Sequence, residues 1–312
     1  MNFHFVATKI LRALITLWLV VTFAFIILRL SGDPMEALLG DDADPEVIAY
    51  YHHKYGLDKP LYVQYLSYFV NIMNGDLGIT FQDERDALEV VVEAIPRTLQ
   101  LGFTAFLLGL AIGIPLGVVA ALNRNKLIDR FTMGFAVFGF SIPNFFQGIL
   151  MILLFSLWLR LLPSSGAGGF LHLIMPAITL GTSSAGSIAR FARSAMLEVL
   201  NKSYMRTANA KGVPKGRRVR WHALPNAAIP IVTIVGFRLG DLVAGSIITE
   251  TVFAWPGVGR LLVTSVSNRD LAVVQAILLI VGTTMTLANL SVDLIYSWID
   301  PRIRHSSTAE EE

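Results

Sequence analysis

Charged and amide side chains inside apolar segments are the groups in this sequence with the most chemistry to offer. Arg238 and Asp241 stand three residues apart, on one face of any helix that holds them. Charges at membrane depth are costly and normally face a bundle interior or a water-filled cavity, usually paired. The two therefore read either as the lining of a polar route or as a self-neutralised structural pair. Asp293, with Asn289, poses the same choice between substrate contact and hydrogen bonding between helices. Asn144 and Gln147 follow Ser141-Ile142-Pro143, where a proline frees backbone groups that need protein or water nearby; they line a pathway or pack internally. Covalent chemistry is not indicated. There is no cysteine and no Gly-Lys dipeptide, hence no thiolate site and no phosphate-binding loop for ATP. No His-Glu-x-x-His occurs, no serine stands in a Gly-x-Ser-x-Gly context, and adjacent His52 and His53 cannot share a helix face, so they read as surface histidines rather than a metal site. No catalytic residue, metal or bound cofactor is expected in this chain.

The elements that must carry these groups are membrane spans. Of 312 residues, 54% are hydrophobic and 15% charged, too apolar for a soluble domain of this size. Apolar runs predict six crossings, at 10–30, 99–122, 133–159, 171–188, 229–253 and 273–299, each near the roughly 20 residues a helix needs to cross the hydrocarbon. The fourth is the weakest, because Gly181 to Ser187 is small and polar. In the second, Gly109, Gly113 and Gly117 recur every four residues and make a flat face for close helix contact. The chain divides into a first transmembrane helix (1–30), a cap (31–97), a membrane core (98–300) with a loop at 201–226, and a cytoplasmic tail (301–312) whose acidic end, Glu310 to Glu312, reads as disordered. In the cap, turn signals such as Gly32-Asp33-Pro34 separate helical patterns over Pro45 to Tyr55 and Leu61 to Met73.

Basic residues orient the chain. Lys9, Arg12, Arg124, Lys126, Arg130, Arg190, Arg193, Arg302 and Arg304 all fall on one face if there are six crossings. The segment 31–97 carries thirteen acidic residues against Lys54, Lys59, Arg85 and Arg97. Both termini are thus expected in the cytoplasm and the cap outside it. The strongest signal is the stretch Asn201 to Asn226, with seven lysines and arginines and no acid. It predicts a short helix, Tyr204 to Lys211, capped by Ser203 and stopped by Gly212, then a second segment, Lys215 to Leu224, ended by Pro225. A shaped basic lug on a cytoplasmic loop suits docking of a soluble partner. After the fifth span, Glu250 to Arg260 reads as an interfacial corner. There Phe253 and Trp255 lie at headgroup level, and Pro256, Gly257 and Gly259 turn the chain.

Ala208, Gly212, Leu224 and Pro225 match the spacing of the "EAA" loop of bacterial ABC-importer permeases. The phrases LSGDP, YGLDKPLYVQY, GDLGIT and ETVFAWPGVGR resemble the dipeptide/oligopeptide/nickel branch of that family. Arg206, Thr207 and His222 depart from the general loop pattern, the first two in the manner of the peptide branch. The resemblance covers nearly the whole chain. It implies an all-α, type I ABC importer permease-like fold with a partly helical periplasmic cap, multi-pass in the bacterial inner membrane. It further implies a second related permease, two cytoplasmic ATPases that hold ATP and Mg, and a periplasmic substrate-binding protein, alongside membrane lipid; nucleic acid is not an expected partner. Docking to the ATPase would fall to Tyr204, Thr207, Ala208, Lys211, Gly212, Leu224 and Pro225. The substrate implied is a short peptide, with nickel, glutathione or another small solute as alternatives. A rival of another class is a membrane receptor or scaffold whose basic loop binds anionic lipid.

Overall fold

The computed structural model describes residues 3–40, 43–244 and 246–299, with the side chains at 3–9, 37, 140, 237–244 and 288–299 outside that description. The regular structure is helical. Among the described residues the β contact is an isolated antiparallel bridge between Ile79 and Asp86. In chain order the helices are α1 (Phe3–Leu30), α2 (Pro34–Leu39), α3 (Pro45–Lys54), α4 (Leu61–Met73), α5 (Ala87–Leu122), α6 (Leu127–Ser141) and α7 (Asn144–Met151). There follow α8 (Phe170–Leu200), α9 (Ser203–Ala210), α10 (Lys215–Arg217), α11 (Leu224–Ala244), α12 (Ile247–Val252), α13 (Val258–Ser267) and α14 (Leu271–Ile299). Two wider π-helical stretches, Ile152–Trp158 and Arg218–Ala223, extend α7 and α10.

By length and composition, Ile10–Leu30 of α1 and all of α5 are able to cross a membrane, and α6 with α7 and its extension forms one broken candidate bent by 95°. The bend falls at Ile142 and Pro143, where the proline ends one helix and starts the next. α8, α11 and α14 have 31, 21 and 29 residues. At about 1.5 Å per residue each reaches the roughly 30 Å of a hydrocarbon core, which is compatible with six crossings. Two boundaries differ from the sequence reading. The fourth segment does not stop near Ile188 but runs on through Arg190 and Arg193 to Leu200. The fifth starts at Leu224, is described as helix to Ala244, and is followed by the separate α12, Ile247–Val252.

The chain divides into two compact units, Met1–Pro96 with Arg260–Glu312, and Arg97–Gly259. In the second unit α8 is the hub. Its small residues Gly181, Ala185, Gly186, Ser187, Ala189 and Ala192 are all buried, so the stretch that looked weak as a lipid-facing span is a packing surface. Gly109, Gly113 and Gly117 of α5 press on it as their spacing predicts. A β-carbon on Gly113 would lie 2.7 Å from the Ala185 carbonyl, and one on Gly117 2.7 Å from the Ala192 β-carbon. Such close backbone approach is how helices associate where no hydrophobic force separates them from lipid. α6 joins the same hub through a two-pronged ion pair: Arg193 Nε and Nη2 donate to Asp129 Oδ1 and Oδ2 at 2.7 and 2.8 Å.

In the first unit, Phe25 and Leu28 of α1 pack on Leu271 and Val274 of α14, with Tyr65 of α4 against them. The Thr22 and Tyr65 hydroxyls meet at 2.7 Å. Asp33 and Asp44 cap α2 and α3 through the backbone N–H groups of Met35 and Glu46, each just ahead of a proline at the first helical turn. His52 is half-buried rather than a free surface group, with Nε2 2.6 Å from Asp33 Oδ2. The cap's loop is pinned by Asp270, which is 2% exposed. Its Oδ2 accepts from the Thr80 hydroxyl and from the Phe81 N–H. Burial raises the Asp270 carboxyl above the ordinary aspartate value, with these hydrogen bonds opposing. Because the folded-state value is raised, the native state keeps a proton that the unfolded chain gives up. The contribution of this group is therefore complete below the unfolded value and is lost as pH rises through the folded one. Thermal unfolding of the wild type and of Asp270→Asn, compared at a pH below the unfolded aspartate value of about 3.9 and again at about pH 8, checks this: the wild type's advantage over the variant shrinks at the higher pH.

Candidate functional site

The basic loop folds as a short helix, a turn and a helical re-entry. α9 starts at Ser203, so Lys202 rather than Ser203 holds the N-cap position, and it caps without a side-chain hydrogen bond. The helix stops where expected. Lys211 N–H donates to Thr207 O and Gly212 N–H to Asn209 O, and Gly212 adopts φ +73° with open space where a β-carbon would stand. That left-handed turn is what glycine tolerates without steric cost. Val213 N–H then returns to Ala208 O.

What holds this helix in place is Met205, which the sequence reading passed over. It is 6% exposed and packs with Ala121 of α5, Met196 and Val199 of α8, and Ala223, Ala227 and Ile231 at the entry and first turns of α11. The other residues of α9 are polar or small, so one buried methionine is its anchor to three long helices, a burial of about 1.5–3 kcal/mol. The signal was present: Met205 is the one long aliphatic side chain in the helix. Truncation by Met205→Ala should cost about 2–5 kcal/mol of local packing, whereas Met205→Leu should cost under about 1.5 kcal/mol. Limited proteolysis of 201–226 reads the difference as faster cleavage in the alanine variant alone.

With Met205 pointing in, Tyr204, Thr207, Lys211 and Gly212 are exposed and Ala208 is half-buried beside them. They form one continuous outward surface. Leu224 turns inward against the Met205 cluster, while Pro225 is exposed. The sequence reading ended the second segment at Pro225; here the helix passes through it. The π-helical turns at Arg218–Ala223 precede α11 directly. Proline supplies no N–H, and Pro225 lies in the first turn of α11, where a helix tolerates that loss. Between α9 and this re-entry lies a cavity of about 260 Å³ bordered by Met205, Arg206, Asn209, Lys215 and Arg218. The surface thus offers a polar knob flanked by the cations Arg206, Lys211 and Lys215.

The second cluster is the corner after α12. Phe253 and Trp255 are each 1% exposed, so they are core residues and not headgroup anchors. Trp255 Nε1 donates to Arg97 O at 2.8 Å. The centre is Glu250, which has no exposed surface. Thr98 Oγ1 and Ser246 Oγ donate to its Oε1 at 2.8 and 2.7 Å, and Gly259 N–H donates to its Oε2 at 2.7 Å. Val258 N–H extends the net by donating to Thr98 Oγ1 at 2.8 Å. Gly257 and Gly259 are needed here for closeness rather than for turning: a β-carbon on Gly257 would sit 2.5 Å from the Glu250 carboxyl carbon, and one on Gly259 2.6 Å from Ile247 Cα. The corner is a locked joint between the start of the second crossing and the chain beyond the fifth.

Of the pathway candidates, Gln147 Nε2 donates to Thr182 Oγ1 of α8 at 2.7 Å, and its Oε1 is buried with no hydrogen-bond partner. Asn144 is half-buried one turn earlier. The side chains of Arg238, Asp241, Asn289 and Asp293 lie outside the described residues, within α11 and α14, as does the acidic end Glu310 to Glu312. Among the described residues no group of three or more potential metal ligands comes together.

A helical bundle built on a small-residue hub, with a basic helix–turn lug on one loop, is the architecture of an ABC-importer permease subunit. Residues 113–305 match the model of the binding-protein-dependent transport system inner membrane component, and residues 2–102 match that of the N-terminal part of such membrane components. The chain belongs to this family of permeases. It is 40% identical to the di/tripeptide transport system permease protein DppB of Pseudomonas aeruginosa, over 96% of this chain and 98% of that one. It is 41% identical to the glutathione transport system permease protein GsiC of Escherichia coli, over 97% and 99%. The inward-facing MetNI methionine ABC transporter shares the fold, with a TM-score of 0.58 at 22% identity over 68% of this chain and 96% of that one.

Proposed function

We propose that this chain is one half of a two-permease channel that imports short peptides across the bacterial inner membrane. The observation that carries the reading is full-length similarity, at nearly equal identity, to permeases named for di- and tripeptides and for glutathione. Glutathione is itself a modified tripeptide, so the shared chemistry is a short peptide backbone. The chain is a non-catalytic subunit. Two cytoplasmic ATPases hold ATP and Mg, a periplasmic binding protein delivers the substrate, and both termini face the cytoplasm, in keeping with the placement of Lys and Arg. Closure of the ATPase pair moves the knob at Tyr204, Thr207, Ala208, Lys211 and Gly212, and the bundle switches between inward- and outward-facing states. Coupling requires only that ATP and substrate each favour one state of a bistable element. Arg238, Asp241, Asp293, Asn144 and Gln147 are the side chains proposed to line the route.

Uptake of labelled di- and tripeptides by cells lacking only this chain tests the proposal. Loss of peptide uptake, restored by the wild-type chain, is expected. Undiminished peptide uptake together with loss of nickel uptake would replace the substrate.

A further inference from the structure

A cavity of about 340 Å³ opens in the first unit, between the C-terminal end of α1, the start of α14 and the cap segments around α3 and α4. Its size is at the lower end of small-molecule sites, about 300–1,000 Å³. Five buried polar atoms on its lining residues have no hydrogen-bond partner: Arg29 Nε, Tyr55 OH, Tyr68 OH, Gln64 Oε1 and Gln275 Nε2. Buried polar groups are otherwise almost always paired, so such a group points to something that completes it. Gln275 is 1% exposed, which makes its free amide part of the built wall and not a surface accident.

The chemistry of the set is directional. Arg29 Nε and Gln275 Nε2 are donors, and both phenols donate readily. Burial holds Tyr55 and Tyr68 protonated, their values raised above that of free tyrosine. Lys59 adds positive charge at the wall, and Lys54 adds a cation paired with Glu84 at 2.6 Å. Against these, Asp76 is the acid in the lining, and its Oδ1 already accepts from Gly78 N–H. Gln64 differs from the rest. Its Nε2 donates to Leu57 O and Lys59 O at 3.1 and 2.6 Å, which fixes the amide and leaves Oε1 as an acceptor. Four donors with surplus positive charge suit an oxyanion, and one fixed acceptor nearby suits a hydroxyl.

We propose that this cavity binds a phosphate that carries a hydroxylated substituent, of the phosphoglycerol type. Arg29, Gln275, Tyr55 and Tyr68 hold the phosphate oxygens and Gln64 Oε1 accepts from the substituent's hydroxyl. The same group reaches the site free in solution or as a phospholipid headgroup.

The test uses the full chain in nanodiscs. In phosphatidylcholine discs, glycerol phosphate is titrated by calorimetry; in discs containing phosphatidylglycerol, retained lipid is counted by native mass spectrometry. Saturable glycerol phosphate binding, or selective retention of phosphatidylglycerol, is expected for the wild type, and which of the two occurs identifies the source. Arg29→Gln and Gln275→Met should each weaken it by at least about tenfold, the loss of one charge-assisted or buried hydrogen bond. Unfolding temperatures without ligand establish that each variant is folded. Absence of both kinds of binding in the wild type overturns the proposal and leaves the cavity to water, as does unchanged affinity in a folded variant.

Discussion

Gly212→Asp is expected to abolish transport while leaving the protein folded and inserted. Gly212 sits at φ +73° with nothing near its β-carbon position. Aspartate is among the residues that visit this backbone region, at a cost of roughly 1–2 kcal/mol. The new side chain meets no atom of this chain, so the damage falls on whatever docks there. It adds bulk and a negative charge to a surface whose neighbours are Lys211 and Thr207, and so alters both shape and sign. Uptake at the level of a strain lacking the chain, with normal membrane yield and unfolding temperature, is the predicted result. Retained uptake would remove Gly212 from the docking surface.

Glu250→Ala is expected to destabilise the second unit strongly. It leaves the buried Thr98 hydroxyl and Gly259 N–H without the acceptor they now use. At about 1–3 kcal/mol for each such group, the loss is a large share of the stability of a typical domain. Glu250→Gln is not a mild substitute. One amide oxygen can still accept from both hydroxyls, but the NH2 then faces the Gly259 N–H, donor against donor, at about 1–3 kcal/mol. Thermal unfolding in detergent should rank wild type above the glutamine variant and that above the alanine variant. An alanine variant as stable as the wild type would contradict the locked-joint account.

These two residues show what the sequence makes visible. Gly212 was legible because helix, stop and proline lie within a dozen residues and each leaves a local mark. Two cap helices, α3 and α4, were legible for the same reason, whereas Asp33-Pro34 read as a turn although Asp33 caps the short α2. The glycines of α5 were legible through their spacing. Glu250 was not, because its meaning depends on Thr98, 152 residues away, and an acid at the end of an apolar run looks the same whether it meets water or a buried hydroxyl. Phe253 and Trp255 failed likewise, since aromatic residues near a span end belong equally to an interface and to a core. α8 was underestimated because hydropathy rewards contact with lipid, while Gly181 to Ser187 are small so that other helices can approach. Met205 needed the partner helices to show which way it points.

The exposed face of α9 is proposed to meet a cytoplasmic ATPase. The chain has no cysteine, so Thr207→Cys introduces a single thiol on that face. It can be tagged and cross-linked in native membranes with a short bifunctional reagent, and the product identified by mass spectrometry. The account predicts a cross-link to a protein carrying a Walker-type ATP site, lost in the Gly212→Asp background. Cross-linking to lipid alone, in membranes where the chain is transport-competent, would contradict it and favour a loop that only holds anionic headgroups.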